Sequence, residues 1–257
     1  MKLELVPGIA IDYKSFSQRA RVLTERWALE NLYCPACPSD ELAPTTPGKE
    51  VIDFICPDCD EPYQLKSQSH PFRNRVINSA YEPKIKAIRT GTIPNFFFLR
   101  YDPEELFVSD IFAVPKHFIS KSIIEPRKPL SEHARRHGWR GSNIVLKNLP
   151  LDARIQIVKN KQEIPKNTVR DLWNRFLFLR EQSVNSRGWL ADVLACIRHL
   201  DKETFTLADI YTFDTQLAKL HPRNKHIRPK IRQQLQVLRD YNTIEFLGKG
   251  VYRIRRP

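Results

Sequence analysis

The chain has 257 residues, room for one large domain and one small one. A hydrophobic share of 41% fits a folded protein and excludes a disordered one, and no apolar run approaches the ~20 residues of a membrane helix. The formal charge of +13 favours a polyanionic partner, nucleic acid first, and without a spanning segment no membrane partner is expected.

The first residues lack a sustained apolar core, so no signal peptide is expected and the cytoplasm is the expected compartment. Residues 15–32 read as a helix capped by Ser15 or Ser17, with Phe16, Ala20, Leu23 and Trp27 on one apolar face. A Pro-rich loop follows. Residues 51–55 and 63–66 then read as short strands on either side of a CPDC turn. Residues 72–89 are expected to form a helix. NFFFLRY, LFVSDIFAVP and RIQIV have the aromatic and β-branched density of strands. Residues 167–180 read as another helix, and the polar EQSVNS at 181–186 is the predicted domain boundary.

Beyond it the pattern is three helices and a hairpin. Gly188 precedes WLADVLACIRHL, Thr206 caps LADIYTFDTQLAKL, and residues 225–240 carry Ile227, Ile231, Leu235 and Leu238 on one stripe. TIEFLGKGVYRI gives two strands around Gly248-Lys249-Gly250. Three helices and a hairpin predict a winged helix whose third helix enters the major groove. The basic charge concentrates there: residues 221–257 hold ten Lys/Arg against two acids. The predicted architecture is an α/β (α+β) core over 1–181, then a winged-helix domain over 182–257.

The strongest motif is Cys34-Pro-Ala-Cys37, 18 residues, then Cys56-Pro-Asp-Cys59. Two CxxC turns at this spacing point four thiolates at one centre and close a tetrahedral Zn²⁺ site with no open position, which makes the zinc structural. Cys196 reads as a small buried hydrophobe, and the histidines show no ligand spacing. Asp53 precedes the second CxxC, and Gln64-Leu65-Lys66 follows it after ten residues from Asp53. Strand parity places residues 64 and 66 on one face.

Zinc ribbon, Asp53 with Gln64-Leu65-Lys66, the NFFFL strand, ARRHGWRG and KIRQQLQVLRD follow one another in this order. Along nearly its whole length the chain therefore resembles the DpnI-type methyl-directed restriction endonucleases, which join a PD-(D/E)xK nuclease domain to a winged helix. The resemblance implies cleavage of double-stranded DNA at GATC carrying N6-methyladenine. It also implies that Asp53, Gln64 and Lys66 are the catalytic positions, that Asp53 and Gln64 hold Mg²⁺, and that Cys34, Cys37, Cys56 and Cys59 hold Zn²⁺. The family pattern has Glu where this chain has Gln64. An amide oxygen can still ligate Mg²⁺, but the site loses a negative charge. Asp53 and Lys66 favour an active enzyme; the alternative is a protein that binds methylated DNA without cutting it well.

On the third C-terminal helix, Arg228, Lys230, Arg232, Gln233, Gln234, Gln236 and Arg239 are predicted to face DNA, with Lys249 at the wing tip. Arg135, Arg136, His137, Trp139 and Arg140 form a basic loop. The resemblance places Trp139 where a flat apolar ring can meet methylated adenine. No interface pattern is evident, so a monomer is expected.

Overall fold

The structure is a computed structural model and describes residues 1–45 and 51–255. Residues 46–50 of the Pro-rich loop, and Arg256 of the basic terminal segment, lie outside it.

The first 182 residues supply α1 (Phe16–Asn31), β1 (Ala43–Pro44), β2 (Phe54–Ile55), β3 (Pro62–Gln68), β4 (Arg75–Ala80) and α2 (Tyr81–Thr90). They continue with β5 (Asn95–Asp102), β6 (Phe107–Val114), β7 (Ile124–Pro126), β8 (Gly141–Val145), β9 (Ile155–Lys159), β10 (Gln162–Glu163) and α3 (Lys166–Asn174). Among the described residues, seven strands form a mixed sheet in the order β1-β2-β3-β5-β6-β9-β10. Only β3 and β5 run parallel in it, with Gln64 opposite Phe96 and Lys66 opposite Phe98. A second sheet, β4-β8-β7, and helix α2 lie in the crossover between those two strands and beside it.

Strand β5 is the centre of this arrangement. Phe96, Phe97, Phe98 and Leu99 are all fully buried, so both faces of the strand are covered. Phe96 and Phe98 join one hydrophobic cluster, while Phe97 and Leu99 join the other, with Trp27, Tyr63 and Trp173. Each such side chain contributes about 1.5–3 kcal/mol of transfer free energy.

Several expectations change. The predicted helix over 72–89 is a strand followed by a helix: Val76 and Ile77 favour extended backbone and pair with Ile144 and Asn143 of β8. Helix α2 ends at Gly91, whose φ of 74° supplies the left-handed cap. In α1 the buried residues are Leu23, Thr24, Trp27 and Ala28, while Phe16 is 88% exposed, so the apolar face begins a turn later than expected. Residues 51–53 are not strand; Val51 takes a φ of 81° and β2 is only Phe54–Ile55.

The remaining elements are α4 (Val184–His199), β11 (Thr204–Thr206), α5 (Leu207–Tyr211), α6 (Asp214–Leu220), α7 (Ile227–Asp240), β12 (Ile244–Gly248) and β13 (Val251–Ile254). Ser183 caps α4, its Oγ accepting from the Ser186 N–H, so part of the predicted breaker is helix and Gly188 lies inside it. Thr206 and Asp209 form a reciprocal capping box, but the helix it starts breaks in two at 212–213. The hairpin β12–β13 pairs with β11, which the sequence reading overlooked.

Helices α4 to α7 share a hydrophobic cluster with Phe118, Ile119, Ile123 and Ile144. Polar contacts cross the same junction. Arg198 pairs with Asp152, and Ser122 Oγ donates to Asp192 Oδ1 at 2.7 Å; on the C-terminal side of the junction His221 Nε2 lies 2.8 Å from Asp192 Oδ2. His221 also stacks on Trp189. Cys196 is buried, as expected of a small hydrophobe.

Candidate active site, metal centre and DNA-binding surfaces

Asp53 lies in the connection leading into β2, and Gln64 and Lys66 lie on β3. All three line one open polar pocket of about 580 Å³, together with Arg21, Thr24, Glu25 and Tyr101. The Leu65 N–H donates to Asp53 Oδ2 at 2.8 Å, and the Asp53 N–H donates to the Tyr63 carbonyl at 2.9 Å. These two bonds hold the carboxylate beside the strand that carries Gln64 and Lys66. At the rim, Arg21 and Glu25 of α1 pair at 2.7 Å.

Burial pushes the Lys66 ammonium down to about 8, with the Asp53 carboxylate partly offsetting the effect. Near neutral pH it therefore still carries its charge. Gln64 is buried, and its Oε1 accepts from Lys84 Nζ. Lys84, on α2, has no exposed surface, and its Nζ sits 4.8 Å from the centroid of the Phe96 ring. Burial, reinforced by the positive charge of Lys66, pushes Lys84 down to about 6. Sequence reasoning overlooked Lys84. A signal was present: Lys84 stands four residues before buried Ile88 and next to buried Ile85, on the apolar face of the helix. Glu61 is no substitute acid for the pocket, because Lys116, Arg180 and Asn95 all donate to its carboxylate.

The four cysteines of the two CxxC turns come together. Their sulfurs lie within 4.8 Å of one another, with Cys37–Cys56 at 3.5 Å and Cys34–Cys59 at 3.7 Å, and none is in a disulfide. A tetrahedral zinc thiolate centre, with Zn–S of about 2.3 Å, has S···S edges of about 3.8 Å. The donor set therefore fits Zn²⁺. Burial pushes the Cys34 thiol up and the Cys59 thiol up to about 12, whereas at Cys56 burial is outweighed by backbone N–H groups of Cys59 and Asp58 that hold it down. Arg170 of α3 clamps the first turn by donating to the Ser39 carbonyl at 2.9 Å.

On α7, Arg232, Gln233, Gln236 and Arg239 are exposed, and Lys230 is half-buried and donates to Gln233. Arg228 is exposed but pairs with Asp214 and covers the Tyr211 ring. Gln234 is a correction: at 3% exposure it packs into the helical core with Ile231, Leu235 and Leu238, because i+3 from Ile231 falls on the apolar stripe. It is therefore withdrawn as a DNA contact. Lys249 is exposed at the wing turn with a φ of 48°.

Arg135, Arg136, His137 and Arg140 are exposed on the loop between β7 and β8, and Trp139 is half-buried. The Arg136 guanidinium lies 5.1 Å from the centre of the Trp139 ring. The indole rests against Gly141, where an added Cβ would stand 3.1 Å from the ring.

The model of the Dam-replacing family matches residues 1–182, and that of the Dam-replacing helix-turn-helix domain matches residues 185–254. The chain belongs to the Dam-replacing family. Membership agrees with the DpnI-type resemblance and implies a nuclease of the methyl-directed restriction class. The helix-turn-helix domain of this Dam-replacing protein implies binding to methylated DNA. No helix among the described residues is long and apolar enough to cross a membrane.

Proposed function

We propose that the chain is a Mg²⁺-dependent type II endonuclease that hydrolyses double-stranded DNA at GATC sites containing N6-methyladenine. The observation that carries this reading is the convergence of Asp53, Gln64 and Lys66 on one pocket in a member of the Dam-replacing family. The pocket sits beside the parallel pair β3–β5, which suits a PD-(D/E)xK core over 1–181, with 182–257 as the winged-helix reader.

Asp53 is the charged ligand for the divalent cation, oriented by the Leu65 N–H; Mg²⁺ sites commonly use one or two carboxylates plus substrate phosphate. The cation, when bound, polarises the scissile phosphate and makes hydroxide accessible near neutral pH. Lys66 places an ammonium beside the reacting phosphate and stabilises the charge that develops on it. Zn²⁺ on Cys34, Cys37, Cys56 and Cys59 is structural: it ties the loop after α1 to the β2–β3 turn, and so supports the backbone that carries Asp53 and Gln64. Arg232, Gln233, Gln236 and Arg239 contact bases and phosphates, with Lys230, Lys249 and the Arg135–Arg140 loop adding charge. Trp139 offers a flat surface to the adenine methyl group. The protein works in the cytoplasm as a monomer that nicks each strand in turn.

One observation favours a second reading, a DNA binder that cuts poorly: the acceptor oxygen of Gln64 is already engaged by Lys84. Incubating adenine-methylated and unmethylated plasmid with the protein and Mg²⁺ or Mn²⁺ separates the two. Cutting of methylated plasmid alone supports the endonuclease. A methyl-dependent mobility shift without cutting supports the binder.

A further inference from the structure

Lys84 is a basic residue with no exposed surface, placed on the apolar face of α2. An amine in such a place is costly unless it is partnered. Its partners are modest: the Oε1 of Gln64 and the face of Phe96. Among the described residues no carboxylate lies within ion-pair distance of Lys84. The amide and the amine satisfy each other. The Gln64 oxygen is turned toward α2, where it accepts from Lys84 Nζ, and its NH₂ group finds no protein partner among the described residues. Gln64 nevertheless lines the pocket with Asp53 and Lys66.

We propose that Lys84 is a positioning residue that commits the acceptor of Gln64 to α2, leaving Asp53 as the sole acidic ligand and turning Gln64 into a hydrogen-bond donor toward the pocket. This rests on the pocket being the cation and phosphate site proposed above. It has a consequence that position 64 alone does not reveal. A Glu at 64 meets the Lys84 amine at hydrogen-bond distance and is spent on an ion pair, so restoring the acid does not restore a metal ligand. The acidic pair appears only when residue 84 is also made apolar. Met suits that position, being unbranched and close to Lys in length.

The test is Mn²⁺ titration of DNA-free, zinc-loaded protein by calorimetry, for wild type, Gln64→Glu, Lys84→Met and the double variant. Gln64→Glu alone should bind Mn²⁺ within about threefold of wild type, and the double variant at least about tenfold more tightly than either single variant. A merely structural Lys84 would shift melting temperature without this non-additivity. A tenfold gain from Gln64→Glu alone, or a double variant no tighter than it, overturns the proposal. If Lys84→Met fails to fold, the near-isosteric Gln64→Glu carries the test by the same criterion. Failure of wild type to cut methylated plasmid would refute the nuclease reading separately, since the Mn²⁺ titration does not depend on cleavage.

Discussion

The Leu65 N–H donates to Asp53 Oδ2 at 2.8 Å, joining the residue between Gln64 and Lys66 to a carboxylate twelve positions earlier. Leu65 itself packs to the opposite side, in the cluster with Trp27 and Phe97. The strand thus anchors its back face in the core, while its backbone orients the acid and its front face presents the amide and the ammonium. Asp53→Asn keeps an oxygen for that N–H and removes only the charge. Cleavage of methylated plasmid should fall by roughly 10²-fold or more, with the melting temperature and DNA mobility shift little changed. Lys66→Ala should behave alike. Retained cleavage in either variant would remove that residue from the chemistry.

The thiol cluster predicts one zinc per chain by elemental analysis. Because Cys34 and Cys56 are buried and the turns that hold them brace β2 and β3, removing the metal with a strong chelator should cost several kcal/mol. For a chain of this size that lowers the melting temperature by roughly 10 °C. Cys59→Ser should reproduce the loss, and cleavage should fall in step with unfolding.

Helix α7 separates reading residues from packing residues. Arg232→Ala or Arg239→Ala should weaken DNA binding and reduce the slope of log K against log salt by about one for each phosphate no longer neutralised. Gln236→Ala should weaken specific binding more than non-specific binding. Gln234→Ala should instead lower stability by about 1–2 kcal/mol, with DNA affinity preserved in the folded fraction. Binding titrations at two salt concentrations, beside thermal melts, distinguish these outcomes.

Trp139 packs directly on Gly141. Trp139→Ala should erode the preference for methylated over unmethylated GATC. Gly141→Ala, whose Cβ would stand 3.1 Å from the indole, should displace the ring and erode it in the same direction. Unchanged discrimination in both variants removes the loop from methyl sensing.

His117 predicts acid sensitivity. It is buried beside Arg187, whose Nη1 lies 3.2 Å from its Nδ1; burial, with the positive charges of Arg187 and Lys116, pushes it down to about 4 from an ordinary value of 6.5. The unfolded chain takes the proton first, so stability is fully present above pH 6.5 and declines as pH falls toward 4. The loss is on the order of 3 kcal/mol. His117→Gln should flatten the denaturant midpoint against pH across that window.

What was legible in the sequence followed from strong local signals. Two CxxC turns bring four sulfurs together because the spacing leaves few other geometries, and Phe96–Leu99 make a central strand because a short, aromatic-rich apolar run just after Pro94 suits a strand covered on both faces. The third C-terminal helix showed its stripe through Ile231, Leu235 and Leu238. Strand β4 was hidden because Val76 and Ile77 sit next to a helix of mixed polarity, and only pairing with β8, over sixty residues later, decides their conformation. Gln234 and Lys84 escaped for one reason: each is a polar residue on an apolar stripe, and residue type outweighed position. Strand β11 is three residues long and exists only as a partner for β13.

The most direct test of methyl-directed cleavage at this site uses a short duplex with a single GATC, fully adenine-methylated or unmethylated, incubated with wild-type protein or Lys66→Ala in Mg²⁺. Wild type is predicted to cut the methylated duplex alone, and Lys66→Ala to bind it without cutting. Equal cutting of both duplexes would contradict methyl direction, and undiminished cutting by Lys66→Ala would contradict the assignment of the site.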